Sequence, residues 1–185
     1  MDIFTDFETR SEVDLMDVGL ANYAEHESTL PLMLAYGIRR KQKQWILDLD
    51  AMAATPAMRP ACPDDFLALV DNAEVIFHAH NAAFEIMIYE FICRRRWGWP
   101  DIPVSRWRCT MAKASAANMP KQLARLVKRL ALGGDVQKDE RGKFLIQALS
   151  VPTKCQKTAK KRRKDKDGND VFKMVLTKAG KEVKR

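Results

Sequence analysis

The apolar residues of this chain lie in short runs separated by polar turns, and this spacing limits the folds that the chain can adopt. The longest uncharged run near the N-terminus, residues 28–38, is far shorter than the ~20 apolar residues of a membrane-spanning helix. The N-terminus begins with Met1 and the acidic Asp2 rather than with a basic export signal. These features predict a cytoplasmic protein with no membrane contact. At 185 residues, 46% of them apolar, the chain is long enough for one domain with a sizeable core.

The order of these runs predicts a mixed α/β fold. We expect strands at 1–7, 30–38, 45–49, 75–80 and 106–111, and helices starting near 63, 81, 123 and 138. Residues 39–44 would form the turn of a hairpin, residues 51–63 a linker rich in Ala and Pro, and residues 171–176 a strand with no evident partner. The succession of strand, hairpin, helix, strand and helix predicts a sheet with an antiparallel part and helices packed on it.

Positive charge is concentrated in the last 33 residues. Residues 153–185 hold 13 Lys and Arg against 4 Asp and Glu, whereas residues 1–152 hold 19 against 20. We therefore expect a domain at 1–152 and a basic, disordered tail at 153–185. Such a tail either binds a polyanion such as nucleic acid or only keeps the protein in solution, and the sequence leaves both readings open.

The cysteine and histidine residues do not predict a metal site of their own. Cys62, Cys93, Cys109 and Cys155 form no Cys-x-x-Cys pair, so we expect reduced thiols that mainly pack. His78 and His80 lie two residues apart on a predicted strand, and packing with hydrogen bonds is favoured over metal binding because no third soft ligand is near.

Two acidic positions carry the chemistry that the sequence suggests. Asp6 and Glu8 lie two residues apart on the first strand, so both side chains point to the same face and can share a hard divalent cation. Asn81 is placed to cap the helix that follows the strand at 75–80, and Glu85 lies one turn into that helix. Each pattern alone is common, the first as a polar strand face and the second as a helix start. Their order and spacing along the chain together favour a functional site.

The segments around these acids resemble the 3′-to-5′ exonuclease domains of family A DNA polymerases, above all those of bacteriophages. These domains belong to the ribonuclease H-like, DEDD exonuclease superfamily. Residues 3–10 resemble the first exonuclease motif, with its Asp-x-Glu, and residues 75–85 resemble the second, in which Glu85 replaces the usual Asp. The segments 107–112 and 123–146 are also similar, so the resemblance covers about residues 1–152.

The resemblance implies a fold, a reaction and a set of site residues. Asp6, Glu8 and Glu85 would be catalytic residues and would hold two divalent cations, Mg²⁺ or Mn²⁺. Thr9, Asn81 and Phe84 would lie beside the terminal nucleotide of a single-stranded DNA 3′ end. A polymerase domain on the same chain downstream, or on a separate chain, would be the natural partner.

The third exonuclease motif of this family is not recognisable here. It places a Tyr or His a few residues before an Asp, and the candidate acids after Glu85 lack that neighbour: Asp139, Asp165, Asp167 and Asp170. We therefore expect a ribonuclease H-like fold that is incomplete at its C-terminus, and an impaired exonuclease. The alternatives are a catalytically inactive nucleic-acid-binding module of the same fold, or a chance match with no role in nucleic-acid chemistry.

Overall fold

The computed structural model describes residues 1–38, 41–55, 57–131, 174–176 and 182–184, and the chain divides into the units Met1–Pro152 and Thr153–Arg185. The first unit contains the strands β1 (Asp2–Arg10), β2 (Leu30–Ile38), β3 (Lys41–Ile46), β4 (Ile76–Ala79) and β5 (Trp107–Cys109). Its α-helices are α1 (Leu15–Val18), α2 (Leu20–Glu25), α3 (Leu49–Ala54), α4 (Asp64–Asp71), α5 (Ala82–Ile88), α6 (Thr110–Ala116) and α7 (Leu123–Arg129). A π-helix spans Tyr89–Arg94 and a 3₁₀-helix spans Val104–Arg106.

The five strands form one mixed sheet in the order β3-β2-β1-β4-β5. β2 runs antiparallel to both β1 and β3, whereas β1, β4 and β5 run parallel to one another. This order and these directions are those of a ribonuclease H-like sheet, so the predicted fold class is confirmed. The parallel strands β1, β4 and β5 all end at the same edge, where ligand sites of α/β sheets usually lie.

β1 is the central strand of the sheet, and its side chains alternate between a buried and an exposed face. Ile3, Thr5 and Phe7 point to one face and are buried, while Asp6 lies on the opposite face and is exposed. The register with β2 slips between Glu8 and Thr9, where Pro31 lies opposite Thr9. Proline has no N–H to give to a ladder, so a bulge at this position avoids an unmade hydrogen bond.

Several elements differ from the sequence-based prediction. β5 ends at Cys109, so Thr110 and Met111, predicted as part of a strand, belong to helix α6, which was not predicted. β3 begins at Lys41, so Lys41–Gln44, predicted as part of a turn, belong to a strand. The predicted linker at 51–63 contains the end of helix α3, which Asp48 caps by accepting a hydrogen bond from the Ala51 N–H at 2.9 Å. Helices α1 and α2 were not predicted, because each spans six residues or fewer and shows no helical apolar period.

The helix predicted from residue 81 is confirmed, and its second half is a π-helix. The wider π turns hold Tyr89, Ile92 and Cys93 in the core. The N–H groups of Trp97 and Trp99 donate to the carbonyls of Ile92 and Cys93 near the end of this segment, and Gly98 between the two tryptophans has a left-handed φ of 79°. A side chain at this φ would be strained, so glycine allows the chain to turn here.

An aromatic core lies between the sheet and the helices. Its largest members, all buried or nearly so, are Tyr36, Phe66, Phe77, Tyr89, Trp97, Trp99 and Trp107. The Trp99 indole Nε1 donates to the Pro60 carbonyl at 2.7 Å, which fixes the otherwise irregular segment before α4. Arg106 donates to four backbone carbonyls at and just after the end of α4, Leu69, Val70, Asn72 and Val75, and stacks on Phe77.

The described part of the second unit consists of two short strands. β6 (Met174–Leu176) pairs antiparallel with β7 (Glu182–Lys184). The strand predicted at 171–176 thus has a partner within its own unit. The predicted helix at 138–149 and most of the predicted tail lie outside the described residues, so both stay predictions. Among the residues that the structure describes, no helix is long and apolar enough to cross a membrane.

Candidate active site

Asp6 and Glu8 lie on the same face of β1, near the carboxyl end of the parallel part of the sheet. Their partners across the antiparallel pair are Ala35 and Met33 on β2. Asp6 is exposed and Glu8 is half-buried. Asp6 and Glu8 therefore share one face of β1, as their spacing in the sequence predicts.

Glu85 is brought to β1 by the connection between β4 and α5. β4 pairs in parallel with the first half of β1, and the chain then passes through Asn81 into α5. Asn81 stands at the N-cap position with a left-handed φ of 73°, and its side chain makes no capping hydrogen bond. Asn81 therefore occupies the predicted N-cap position, but the prediction that its side chain caps the helix is wrong. Asparagine suits this position because it tolerates a left-handed backbone conformation. Its carbonyl accepts the Phe84 N–H at 2.8 Å and closes the first turn.

The carboxyl group of Glu85 is buried beside Asp6. Its residue is 2% exposed, and one of its carboxyl oxygens, Oε2, has no hydrogen-bond partner. The pKa of Glu85 is raised to about 8, mainly by burial. The nearby Asp6 carboxylate also raises this pKa, whereas the backbone N–H groups of Glu85 and Phe7 lower it. At neutral pH this carboxyl group therefore holds a proton, which removes the repulsion between two neighbouring anions.

The residues of this site fit a divalent cation in their chemistry. A buried carboxyl oxygen without a partner, next to a second carboxylate, is an arrangement that a hard cation stabilises, because it neutralises both charges and satisfies the free oxygen. Among the described residues, no three His, Cys, Asp or Glu side chains already converge as a metal-ligand group. The charge of Asp6 acts on the buried Glu85 carboxyl group, and the three-carboxylate metal site predicted with Glu8 stays a prediction.

Two of the residues predicted to lie beside a terminal nucleotide, Thr9 and Phe84, both contact Tyr23. The Thr9 hydroxyl is 2.9 Å from the Tyr23 hydroxyl, and the Phe84 ring packs 6.3 Å from the Tyr23 ring. Tyr23 therefore joins the end of β1 to the first turn of α5. Asn81 is exposed at the same edge of the sheet. A role of Thr9, Asn81 and Phe84 in nucleotide binding stays a prediction.

One further residue at this edge was not singled out as a site residue by sequence. Cys109, at the end of β5, caps α6 by accepting the Ala112 N–H at 3.4 Å. Burial raises the pKa of the Cys109 thiol, but the backbone N–H groups of Ala112, Ala82 and Asn81 bring it below its usual value. The only sequence signal for this is the position of Cys109 at the end of a strand, directly before a helix.

The histidines on β4 and just after it are hydrogen-bonded, as predicted. His78 Nε2 lies 2.8 Å from Asp2 Oδ1, and Phe4 stacks on the same imidazole. His80 Nδ1 lies 3.0 Å from the Thr110 hydroxyl, and its Nε2 donates to the Lys121 carbonyl at 2.7 Å. Cys62, Cys93 and Cys109 are free thiols, in agreement with the expectation for the described cysteines.

Comparison with known proteins finds similarity to a DNA polymerase. A DNA polymerase of Bacillus phage SP02 is 32% identical to this chain over 152 residues, which are 82% of the chain and 21% of that polymerase. The chain contains a domain related to a phage DNA polymerase. This polymerase-related domain spans about a fifth of the length of the curated relative that it matches. No family model matches the sequence. The predicted relation to phage DNA polymerases is thus confirmed, and the assignment to an exonuclease domain stays a prediction.

Proposed function

We propose that the polymerase-related domain is a metal-dependent 3′-to-5′ exonuclease domain that removes nucleotides from the 3′ end of single-stranded DNA. The observation that supports it best is the pair formed by Asp6 and the buried Glu85, at the edge where the parallel strands end. A buried acid with a raised pKa and a specific charged neighbour is typical of functional sites rather than of ordinary packing.

The side chains of Asp6, Glu8 and Glu85 would hold two divalent cations, Mg²⁺ or Mn²⁺. When bound, such a pair of cations supplies an activated hydroxide on one side of a phosphodiester and stabilises the leaving 3′-oxygen on the other. Carboxylate oxygens are the ligands that these cations prefer. The donor set of this chain therefore suits phosphodiester hydrolysis.

The protein side chains set the conditions under which this site can work. Glu85 has to release its proton before its carboxyl group can act as an anionic ligand, so the raised pKa makes cation binding improve as pH rises towards about 8. Asp6 faces solvent on β1 and is accessible to a DNA end. Phe84 and Asn81 lie within the first turn of the same helix as Glu85, where they can contact the terminal base or sugar.

The proposal is tested with a 5′-labelled single-stranded oligonucleotide and the purified chain, with Mg²⁺ or Mn²⁺. We expect slow shortening from the 3′ end with Mg²⁺, faster shortening with Mn²⁺, and none in the Asp6→Ala variant. The rate in Mg²⁺ should be about 10²- to 10⁴-fold below that of a complete site, because the group that orients the attacking water is not recognisable in the sequence. Asp50→Ala, which removes an exposed carboxylate from α3, should leave the rate unchanged.

Two results would contradict this proposal. Shortening that persists in Asp6→Ala would show that the acid pair is not the site of hydrolysis. No shortening by the unaltered chain with either cation would exclude exonuclease activity for this chain.

A second candidate function is a nucleic-acid-binding module of the same fold without hydrolysis. It is favoured by the lack of a converged three-ligand group among the described residues and by the unrecognised third motif. Salt-dependent binding of single-stranded DNA without shortening would select it. The Bacillus phage relative supports a setting in the host cytoplasm, and a polymerase domain, downstream or on a separate chain, as the partner.

A further inference from the structure

The first turn of α7 is tied to the edge of the sheet that carries Glu85. His80 lies directly before Asn81 and α5, and its Nε2 donates to the Lys121 carbonyl just before α7 begins. The other ring nitrogen of His80 lies 3.0 Å from the Thr110 hydroxyl, at the start of α6. The imidazole thus joins the starts of α5, α6 and α7 through side-chain contacts.

The basic residues of α7 form one face that is separate from its apolar face. At about 100° per residue, Arg125, Lys128 and Arg129 fall within an arc of about 100°, and the leucines and Val127 fall on the opposite side. The three basic side chains and Lys121 are exposed. Residues 119–131 contain no acidic residue. In the described part of the chain, none of these four cations makes an ion pair.

We propose that the basic face of α7 binds the phosphodiester backbone of single-stranded DNA, and that His80 is a positioning residue that holds this face at the site of Glu85. The proposal rests on the proposed function, since it names the path by which a strand would reach that site. Lys121 precedes the helix, and within α7 the basic face extends about 6 Å from Arg125 to Arg129 at 1.5 Å per residue, enough for one or two successive phosphates. Unpaired cations attract phosphates without base specificity, as an enzyme that acts on any 3′ end requires.

The apolar and basic sides of α7 differ in exposure. On the apolar side Leu126 and Val127 are half-buried and Leu123 and Leu130 are exposed, whereas every basic side chain is exposed. A purely solubilising helix would need no fixed position relative to the sheet. The His80 hydrogen bond gives α7 such a position, with its N-terminal end at the carboxyl edge of the sheet.

The test measures binding of a fluorescein-labelled oligothymidine to the full chain by anisotropy, in EDTA and at several salt concentrations. Each phosphate contact with single-stranded DNA contributes about 0.7 to the slope of log affinity against log salt. Arg125→Gln with Lys128→Gln should therefore reduce that slope by about 1.4. The control, Lys41→Gln with Arg59→Gln, removes the same types of charge from exposed positions and should keep the slope of the unaltered chain.

His80→Ala separates positioning from general loss of structure. We expect His80→Ala to weaken binding in the unaltered background, and to have no further effect in the Arg125→Gln, Lys128→Gln background. This non-additivity would show that His80 acts through the basic face of α7. Circular dichroism melting checks that each variant folds.

An unchanged slope in Arg125→Gln with Lys128→Gln, an equal fall in the control pair, or an additive effect of His80→Ala would each overturn the proposal. The assay contains no divalent cation, so it does not depend on hydrolysis. If the unaltered chain does not shorten DNA but Arg125→Gln with Lys128→Gln lowers the salt slope as expected, only the exonuclease proposal is contradicted. If the unaltered chain shortens DNA but these substitutions leave the salt slope unchanged, only the present inference is contradicted.

Discussion

The substitution Glu85→Gln should stabilise this protein at alkaline pH. Glutamine has nearly the shape of a protonated glutamate and does not ionise. The unaltered Glu85 is 2% exposed and lies next to that carboxylate, so its ionisation inside the fold is unfavourable. The variant removes the cost of ionisation and keeps the packing.

The size and sign of the effect follow from the pKa of Glu85. Burial raises the pKa of this carboxyl group from 4.5 to about 8 on folding. Between these two values the folded state keeps a proton that the unfolded state has lost, so stability falls as pH rises through this range. At about 1.4 kcal/mol for each pKa unit, the cost above pH 8 reaches up to about 4 to 5 kcal/mol.

Urea unfolding of the two proteins, followed by circular dichroism from pH 5 to pH 9 in EDTA, measures this difference. The free energies of unfolding should nearly coincide near pH 5 and should separate steadily up to about pH 8, with the variant more stable. Glu12→Gln, at an exposed glutamate, should show no such divergence. Adding Mg²⁺ at pH 9 should narrow the gap by stabilising the unaltered protein. A difference that is the same at pH 5 and pH 9 would refute the reasoning, since it would mean that Glu85 ionises as easily inside the fold as outside.

Two core contacts give further predictions. Arg106→Lys should lower the free energy of unfolding by about 3 kcal/mol, because an ammonium group cannot satisfy the four carbonyls that the guanidinium binds. A urea midpoint that falls by less than about a tenth of its value in the unaltered chain would contradict this. Trp99→Phe should cost about 1 to 3 kcal/mol by leaving the buried Pro60 carbonyl without its donor, and a melting temperature equal to that of the unaltered chain would show that this bond contributes nothing.

The sequence identified most of the elements that place the site. The alternation in β1 and the apolar run of β4 are short-range patterns, and both strands were found close to their observed positions. Helix α4 was predicted from Pro63 and the acids that follow it, and it begins at Asp64. Such patterns are readable because each depends on residues that are near one another in the chain.

Other features depend on tertiary contacts that a local pattern does not contain. Asn81 was predicted as a side-chain cap, but its left-handed backbone is imposed by the passage from β4 into α5. The raised pKa of Glu85 depends on its depth below the surface and on Asp6, about eighty residues away in the chain. The four bonds of Arg106 to the end of α4 likewise join segments that are distant in sequence. These features become visible only once the sheet is assembled.

The central place of β1 sets the order in which the acid pair can form during folding. The hairpin neighbours β2 and β3 are close in sequence, whereas the contacts between β1 and β4 join residues about 73 positions apart. Closing the longer loop costs about 0.8 kcal/mol more in chain entropy than pairing β1 with β2. A chain still leaving the ribosome can therefore hold Asp6 in a partial sheet while Glu85 is not yet made. The acid pair of Asp6 and Glu85 is thus completed only after β4 and α5 have joined the sheet that β1 and β2 begin.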